Sequence, residues 1–444
     1  MAPQPRLRRA LALLKSIRRP SPAVSIELDK HTCGLEHTYT TFDRIQGSVT
    51  VIVQSETPVE NISITFEGTA KVSIGRETCT LSNTEAMQTF LQLKQPVARG
   101  IDGVPKVLQP GHPYKFPFTF VVPQYLPSQS CNHDISCLGL KHAHVQLPPT
   151  RTTLDYVSSG KCHISYRVRV VISDGFILGN KRPRRLVDCA KSVRVLPLAV
   201  HLPLPVASSN TYTRMEQNLT RGFAQPVLGQ LITEASHVPP ISLQYPLDHS
   251  SVHTAVHLNL RFNPLMDAAP PQLRKVSAKL QASTFYSPLP WEDYPSWTNQ
   301  GLANGWDRGA FTESLPMTTF SMGSLKWVRH QTMGGEHRTQ GLDGLSFRSY
   351  YTAFIVLPIV LPQPRMHIPT FHSCLISRTY SINLRLSYHT PKTALQSAST
   401  TIKIPLVLQY TPKNHHTSLD YEATSASDTA VMNVLPPPEY ASTV

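Results

Sequence analysis

From residue 24 onward, apolar side chains recur at every second position, and this period restricts the chain to strands with one face in a core and the other in water. Ile45, Val49, Val51 and Val53 alternate across Gly47; Ile62, Ile64 and Phe66 follow, then Tyr114, Phe116, Phe118, Phe120 and Val122. Cys162, Ile164, Tyr166, Val168 and Val170 face one way while His163, Ser165, Arg167 and Arg169 face the other, and Val193 with Val195 closes the half. Runs of this kind predict half-buried antiparallel strands.

At 444 residues the chain exceeds what one hydrophobic core organises, which predicts two domains. A proline-bearing stretch, roughly 197–226, separates the first set of runs from a second with the same habit. There Val256, Leu258, Leu260 and Phe262 alternate, as do Val276 to Ala282, Tyr380 to Tyr388 and Ile402 to Tyr410. The expected fold is all-β: two tandem antiparallel immunoglobulin-like β-sandwiches with flexible termini. The expected order is a leader over 1–21, a sandwich over 22–198, a linker over 199–226, a second sandwich over 227–410 and a tail over 411–444.

Two stretches depart from the period. Between 285 and 347 the alternation lapses into a segment with all four tryptophans, Trp291, Trp297, Trp306 and Trp327, read either as a partly disordered insertion or as an aromatic contact loop. After Tyr410 the chain turns polar, and an unfolded tail is expected.

The net charge of +14, from 42 Lys and Arg against 28 Asp and Glu, favours anionic partners. No nucleic-acid motif accompanies it, so nucleic acid is not an expected partner. Seven scattered cysteines without framework spacing suit a reducing compartment. Within residues 6–19, Leu7, Ala10, Leu11, Leu14 and Ile17 share one helical stripe, with Arg8, Lys15, Arg18 and Arg19 mostly off it. Such a segment is read as an inert basic leader, as a helix lying on an anionic membrane surface, or as an organelle presequence. No apolar run approaches the about 18 residues that span a bilayer.

Near the carboxyl end stands Pro437-Pro438-Glu439-Tyr440. Two prolines, one variable position and a tyrosine suit the aromatic groove of a WW domain, because prolines hold the extended PPII form and the tyrosine ring anchors it. Other diprolines, at 148–149, 239–240 and 270–271, have no tyrosine in that place. A single motif forgoes the avidity that several would give.

The stretch Tyr114-Lys115-Phe116-Pro117-Phe118-Thr119-Phe120, running into Pro123 and Leu126-Pro127, resembles the arrestin amino-domain signature, and Ser165 to Val170 resembles its later strand. In the second half, Tyr350 to Phe354, Pro369-Thr370-Phe371 and Ser377 to Ile382 resemble the carboxyl domain of fungal α-arrestins, so the resemblance covers roughly 22–410. It implies a non-catalytic adaptor, cytoplasmic and peripheral to the plasma membrane or endosomes. Its sandwiches would engage a membrane transporter or receptor as cargo. Pro437, Pro438 and Tyr440 would recruit a HECT-type ubiquitin ligase through its WW domains, marking the cargo for endocytosis. Lys392 and Lys413 are candidate ubiquitin acceptors. The rival reading is a retromer-like scaffolding sandwich that recruits no ligase.

The basic run Lys181, Arg182, Arg184 and Arg185 falls between two strand patterns. It is read as a solvated loop, as a site for acidic or phosphorylated cargo through arginine forks, or as a nuclear-import signal. Cys131, His133, Cys137, His142 and His144 offer soft ligands at a spacing that matches no standard zinc module. Fungal α-arrestins resemble this chain in a Cys-x-His pair followed by His-x-x-Leu-Pro-Pro, so Cys131, His133 and His144 are the candidate ligands if the loop holds a metal rather than being a plain surface loop. No glycine-elbow serine, phosphate-cradling loop, His-Glu-x-x-His or dinucleotide fingerprint is present. An enzyme is not expected, and no cofactor is implied.

Overall fold

The alternating runs fold as strands in a computed structural model that describes residues 21–29, 37–74, 84–96, 105–151, 161–174, 184–199, 212–220, 227–246, 253–265, 268–296, 308–323, 325–331, 349–361, 367–389 and 398–413. Described residues up to 134, with 144–197, form one compact unit; 135–143 and 198–413 form another.

The first unit contains β1 (Ala23–Leu28), β2 (Thr38–Thr40), β3 (Arg44–Ile52), β4 (Thr57–Pro58), β5 (Asn61–Ile74), β6 (Thr84–Gln95), β7 (Val107–Leu108), β8 (Tyr114–Val121), β9 (Cys162–Asp174) and β10 (Arg184–Leu196). They make a three-stranded sheet, β1-β3-β8, and a five-stranded sheet, β2-β10-β9-β5-β6, with β4 and β7 paired apart. All pairings are antiparallel except β2 on β10. Strand β9 shows why the sheets must stack. Its even-numbered residues Ile164, Val168, Val170 and Ile172 are fully buried while Arg167 and Arg169 point away. Each such aliphatic side chain contributes about 1.5–3 kcal/mol by leaving water. Phe66 of β5 meets Phe120 of β8 at 6.0 Å between centroids, joining the two sheets through one core. At Gly47 a Cβ would collide with the Glu27 carbonyl and the Phe118 ring, so β1 and β8 can flank β3 this closely only at glycine.

The second unit adds β11 (Tyr212–Thr220), β12 (Val227–Ser236), β13 (Ile241–Tyr245), β14 (His253–Pro264), β15 (Gln272–Tyr286), β16 (Gly309–Ser321), β17 (Val328–Gln331), β18 (Ser349–Val360), β19 (Phe371–His372), β20 (Ile376–His389), β21 (Ala398–Leu406) and β22 (Leu408–Pro412). One sheet runs β11-β12-β14-β18-β17; the other runs β16-β15-β20-β19, with β21 also on β20. Leu280, Ile382 and Ile404 sit side by side across β15, β20 and β21, all fully buried. Such cross-strand apolar pairs set the register.

Four local expectations are corrected. The stretch 199–226, read as a linker, holds β11, which pairs with β12 along its length. Its outward partners are charged, with Arg214 2.9 Å from Glu234, so no apolar period marks it. Within 285–347 lies β16, paired to β15. There Glu313 stands in phase with Phe311 and Leu315 and breaks the apolar pattern. Trp291 is a core residue, 1% exposed, whose Nε1 donates to the Leu375 carbonyl at 3.3 Å. Trp327 Nε1 donates to the Pro271 carbonyl, and Trp297 and Trp306 lie outside the described residues. The run Ile402 to Tyr410 is two strands rather than one: β21 is antiparallel to β20, and after Val407 the chain enters β22, parallel to β13. Thr411 and Pro412, placed in the tail from sequence, finish that strand.

Candidate functional site

The Cys/His segment is built from its base upward. After β8 the chain passes Pro123 and reaches Leu126, whose N–H donates to the Val145 carbonyl at 2.7 Å, while Tyr125 and Gln146 form an antiparallel bridge. These contacts close a loop between 126 and 145. On the outgoing side, Gln88 of β6 donates to the Ser130 carbonyl at 3.1 Å and fixes the approach to Cys131. On the returning side, a helix, α1 (Leu138–His144), delivers His144 at its last residue. Leu147, Pro148 and Pro149 follow into the core, where the Tyr166 hydroxyl donates to the Pro148 carbonyl. This buried Leu-Pro-Pro step holds His144 in place, and the imidazole is 1% exposed.

Two imidazoles converge on one sulfur. Cys131 Sγ lies 3.3 Å from His133 Nε2 and 3.7 Å from His144 Nδ1, and the two rings stand 5.3 Å apart. His133 Nδ1 lies 3.0 Å from the Asp134 carbonyl, which only accepts, so Nδ1 carries the proton. With Nδ1 turned to that carbonyl, Nε2 is the ring nitrogen that faces Cys131. Of the other residues in the sequence cluster, Cys137 is exposed, and Cys137 and His142 stand outside this convergence.

Lys181 and Arg182 lie outside the described residues, as does the side chain of Arg184. Arg185, one of the candidate cargo residues, lies 2.7 Å from Asp188 with its side chain 60% exposed. Asp188 is shared: Arg169 grips it with a two-pronged fork at 2.7 Å on each arm. That donation, helped by the Arg169 and Arg185 charges, holds the Asp188 carboxyl below its ordinary range. Across β5, buried Glu67 accepts from Arg167 at 2.9 Å and from Arg169 at 3.4 Å. The outward face of this sheet thus carries a ladder of ion pairs in which Glu67 and Asp188 are shared among Arg167, Arg169 and Arg185.

The outer face of the β11-β12-β14-β18-β17 sheet forms a groove of about 510 Å3, lined by Arg214, Glu234, Arg261, Lys326, Val328 and Phe354 among others. Val328 and Phe354 are each 57% exposed, and Arg261 lies over the Tyr350 ring at 4.2 Å. Apolar contact area beside Arg261 and Lys326, with Arg214 already paired to Glu216 and Glu234, suits an acidic peptide with apolar anchors. Sequence reading missed this face. Its signal was the unbroken run Ala353-Phe354-Ile355-Val356-Leu357, apolar in both phases of one strand.

Pro437, Pro438, Tyr440, Lys392 and residues 6–19 lie outside the described residues; Lys413 is exposed just after β22. Among the described residues, no helix is long and apolar enough to cross a membrane.

The described residues thus form two β-sandwich units, the second with a groove on one sheet face. Residues 24–188 match the family model described as arrestin (or S-antigen), N-terminal domain. The matched segment is arrestin-like, and the fold is the all-β arrestin fold. No curated protein matches the chain.

Proposed function

We propose that this chain is a non-catalytic trafficking adaptor that links a membrane transporter or receptor to a WW-domain HECT ubiquitin ligase, promoting ubiquitination and endocytosis of that cargo. The observation that carries the reading is the conjunction, in one chain, of an arrestin N-terminal domain and Pro437-Pro438-Glu439-Tyr440. Coupling is by proximity: sandwich surfaces hold the cargo while Pro437, Pro438 and Tyr440 dock in a WW groove. The groove beside Arg261 and Phe354 supports cargo contact through an acidic segment. Lys181, Arg182 and Arg184 add cations for the same purpose, while Arg185 is engaged with Asp188. Lys392 and Lys413 are proposed ubiquitin acceptors, and the basic stripe of residues 6–19 is proposed to favour an anionic membrane surface.

Affinity capture from cells tests this reading, comparing the full chain with one lacking residues 435–444. The expected result is a HECT ligase that is captured by the first and lost from the second. Capture of the ligase by both, or by neither, contradicts it and leaves a scaffolding sandwich as the better account.

A further inference from the structure

We propose that Cys131, His133 and His144 are ligands of a structural zinc ion that closes the loop between 131 and 144. All three ligands belong to the first unit, and the site is independent of ligase recruitment.

A zinc ion takes sulfur at about 2.3 Å and imidazole nitrogen at about 2.0–2.1 Å in a tetrahedron. Those lengths place a ligating sulfur and nitrogen about 3.6 Å from one another. The two sulfur-to-nitrogen separations here are 3.3 and 3.7 Å. The three ligand atoms fall within 4.8 Å of one another, with Cys131 and His133 half-buried and His144 buried. Their chemistry, one thiolate and two imidazoles, is the soft mixed set that selects zinc over the oxygen-seeking cations.

Orientation supports the same conclusion. The Asp134 carbonyl accepts from His133 Nδ1 and directs Nε2 at the convergence point, the arrangement by which outer-shell carbonyls fix metal-binding histidines. His144 is set by the buried Leu147-Pro148-Pro149 step behind it, and Cys131 by the Gln88 bond before it. The backbone contact between Leu126 and Val145 brings the two sides together at the base of the loop. Three donors define the site, and a further donor completes the tetrahedron. Loss of the Cys131 proton on binding leaves the zinc–thiolate unit with a net charge of +1.

The test uses the full chain, loaded with zinc, freed of excess by gel filtration and analysed for metal. Wild type is expected to retain about one zinc per chain. Competition with a chromophoric chelator is expected to show Cys131→Ser and His133→Ala weakened on the order of 100-fold or more. Both positions are half-buried, so the variants should keep the strand signal in circular dichroism, which is recorded alongside. Cobalt substitution supplies a second reading. Wild type is expected to give tetrahedral d–d bands with a sulfur charge-transfer band, and Cys131→Ser to diminish the latter. A wild-type chain that retains no zinc overturns the proposal. So does equal retention and affinity in wild type and both folded variants, the result for a hydrogen-bonded Cys/His cluster only.

Discussion

The carboxylate of Glu313 lies 3.0 Å from the guanidinium of Arg378, whose side chain is 8% exposed. The same guanidinium donates to Thr284 Oγ1 at 2.8 Å and to the Tyr380 hydroxyl at 3.0 Å, so a buried cation is matched by one acid and two hydroxyls. Removing the acid leaves that charge uncompensated, which costs more than the pair itself contributes. Glu313→Ala is expected to destabilise the second unit by about 3 kcal/mol. Glu313→Leu combined with Arg378→Met should cost far less. Denaturant unfolding of the three chains checks this, and equal losses in single and double variants would refute it.

Trp291 supports the same sandwich. It is 1% exposed, its indole N–H is bonded to the Leu375 carbonyl, and Arg308 lies over its ring at 4.9 Å. Trp291→Ala should cost about 3–5 kcal/mol, read as a lowered unfolding midpoint. A residue in an exposed contact loop would instead shift the midpoint by no more than about 0.5 kcal/mol.

The strands of both sandwiches were legible wherever one face is purely apolar, as in β9 and β20. They were hidden where polar pairing replaces that pattern. Strand β11 stabilises its outward face with Arg214 and Glu234, and β16 points Glu313 inward at Arg378, so neither carries a period-two apolar signal. The change of sheet at Val407 is invisible for another reason: alternation continues through it, and only pairing partners change. The ligand set Cys131, His133 and His144 was readable as chemistry. Its convergence depends on the contact of Leu126 with Val145, which spacing does not encode.

His163 gives the first unit a pH dependence. Burial, then the charges of Lys71 and Arg151, lower its pKa from the ordinary 6.5. Above about pH 6.5 the ring is neutral in folded and unfolded chains alike. Below it the unfolded chain takes up the proton first, so stability falls as pH drops towards the lowered folded value. The slope is at most about 1.4 kcal/mol per pH unit. The midpoint of His163→Gln is expected to fall less than wild type between about pH 7 and about pH 5; parallel curves would exclude the effect.

Arg185, engaged with Asp188, should contribute less to peptide binding than the other cations of the basic run. Reversing Lys181, Arg182 and Arg184 to Glu is expected to weaken binding of phosphorylated acidic peptides several-fold, with a reduced salt dependence. Arg185→Ala should act mainly through Asp188, costing about 0.5 kcal/mol of stability with little change in peptide binding. Equal loss of peptide binding from both changes would contradict that division.

The central claim is that Pro437-Pro438-Glu439-Tyr440 couples an arrestin-like chain to a ligase, and its most direct test is titration of the full chain with a purified HECT-ligase WW-domain array. The account predicts saturable binding that Tyr440→Ala weakens by at least about tenfold, a loss of about 1.4 kcal/mol. Equal affinity of wild type and Tyr440→Ala for the array would contradict it.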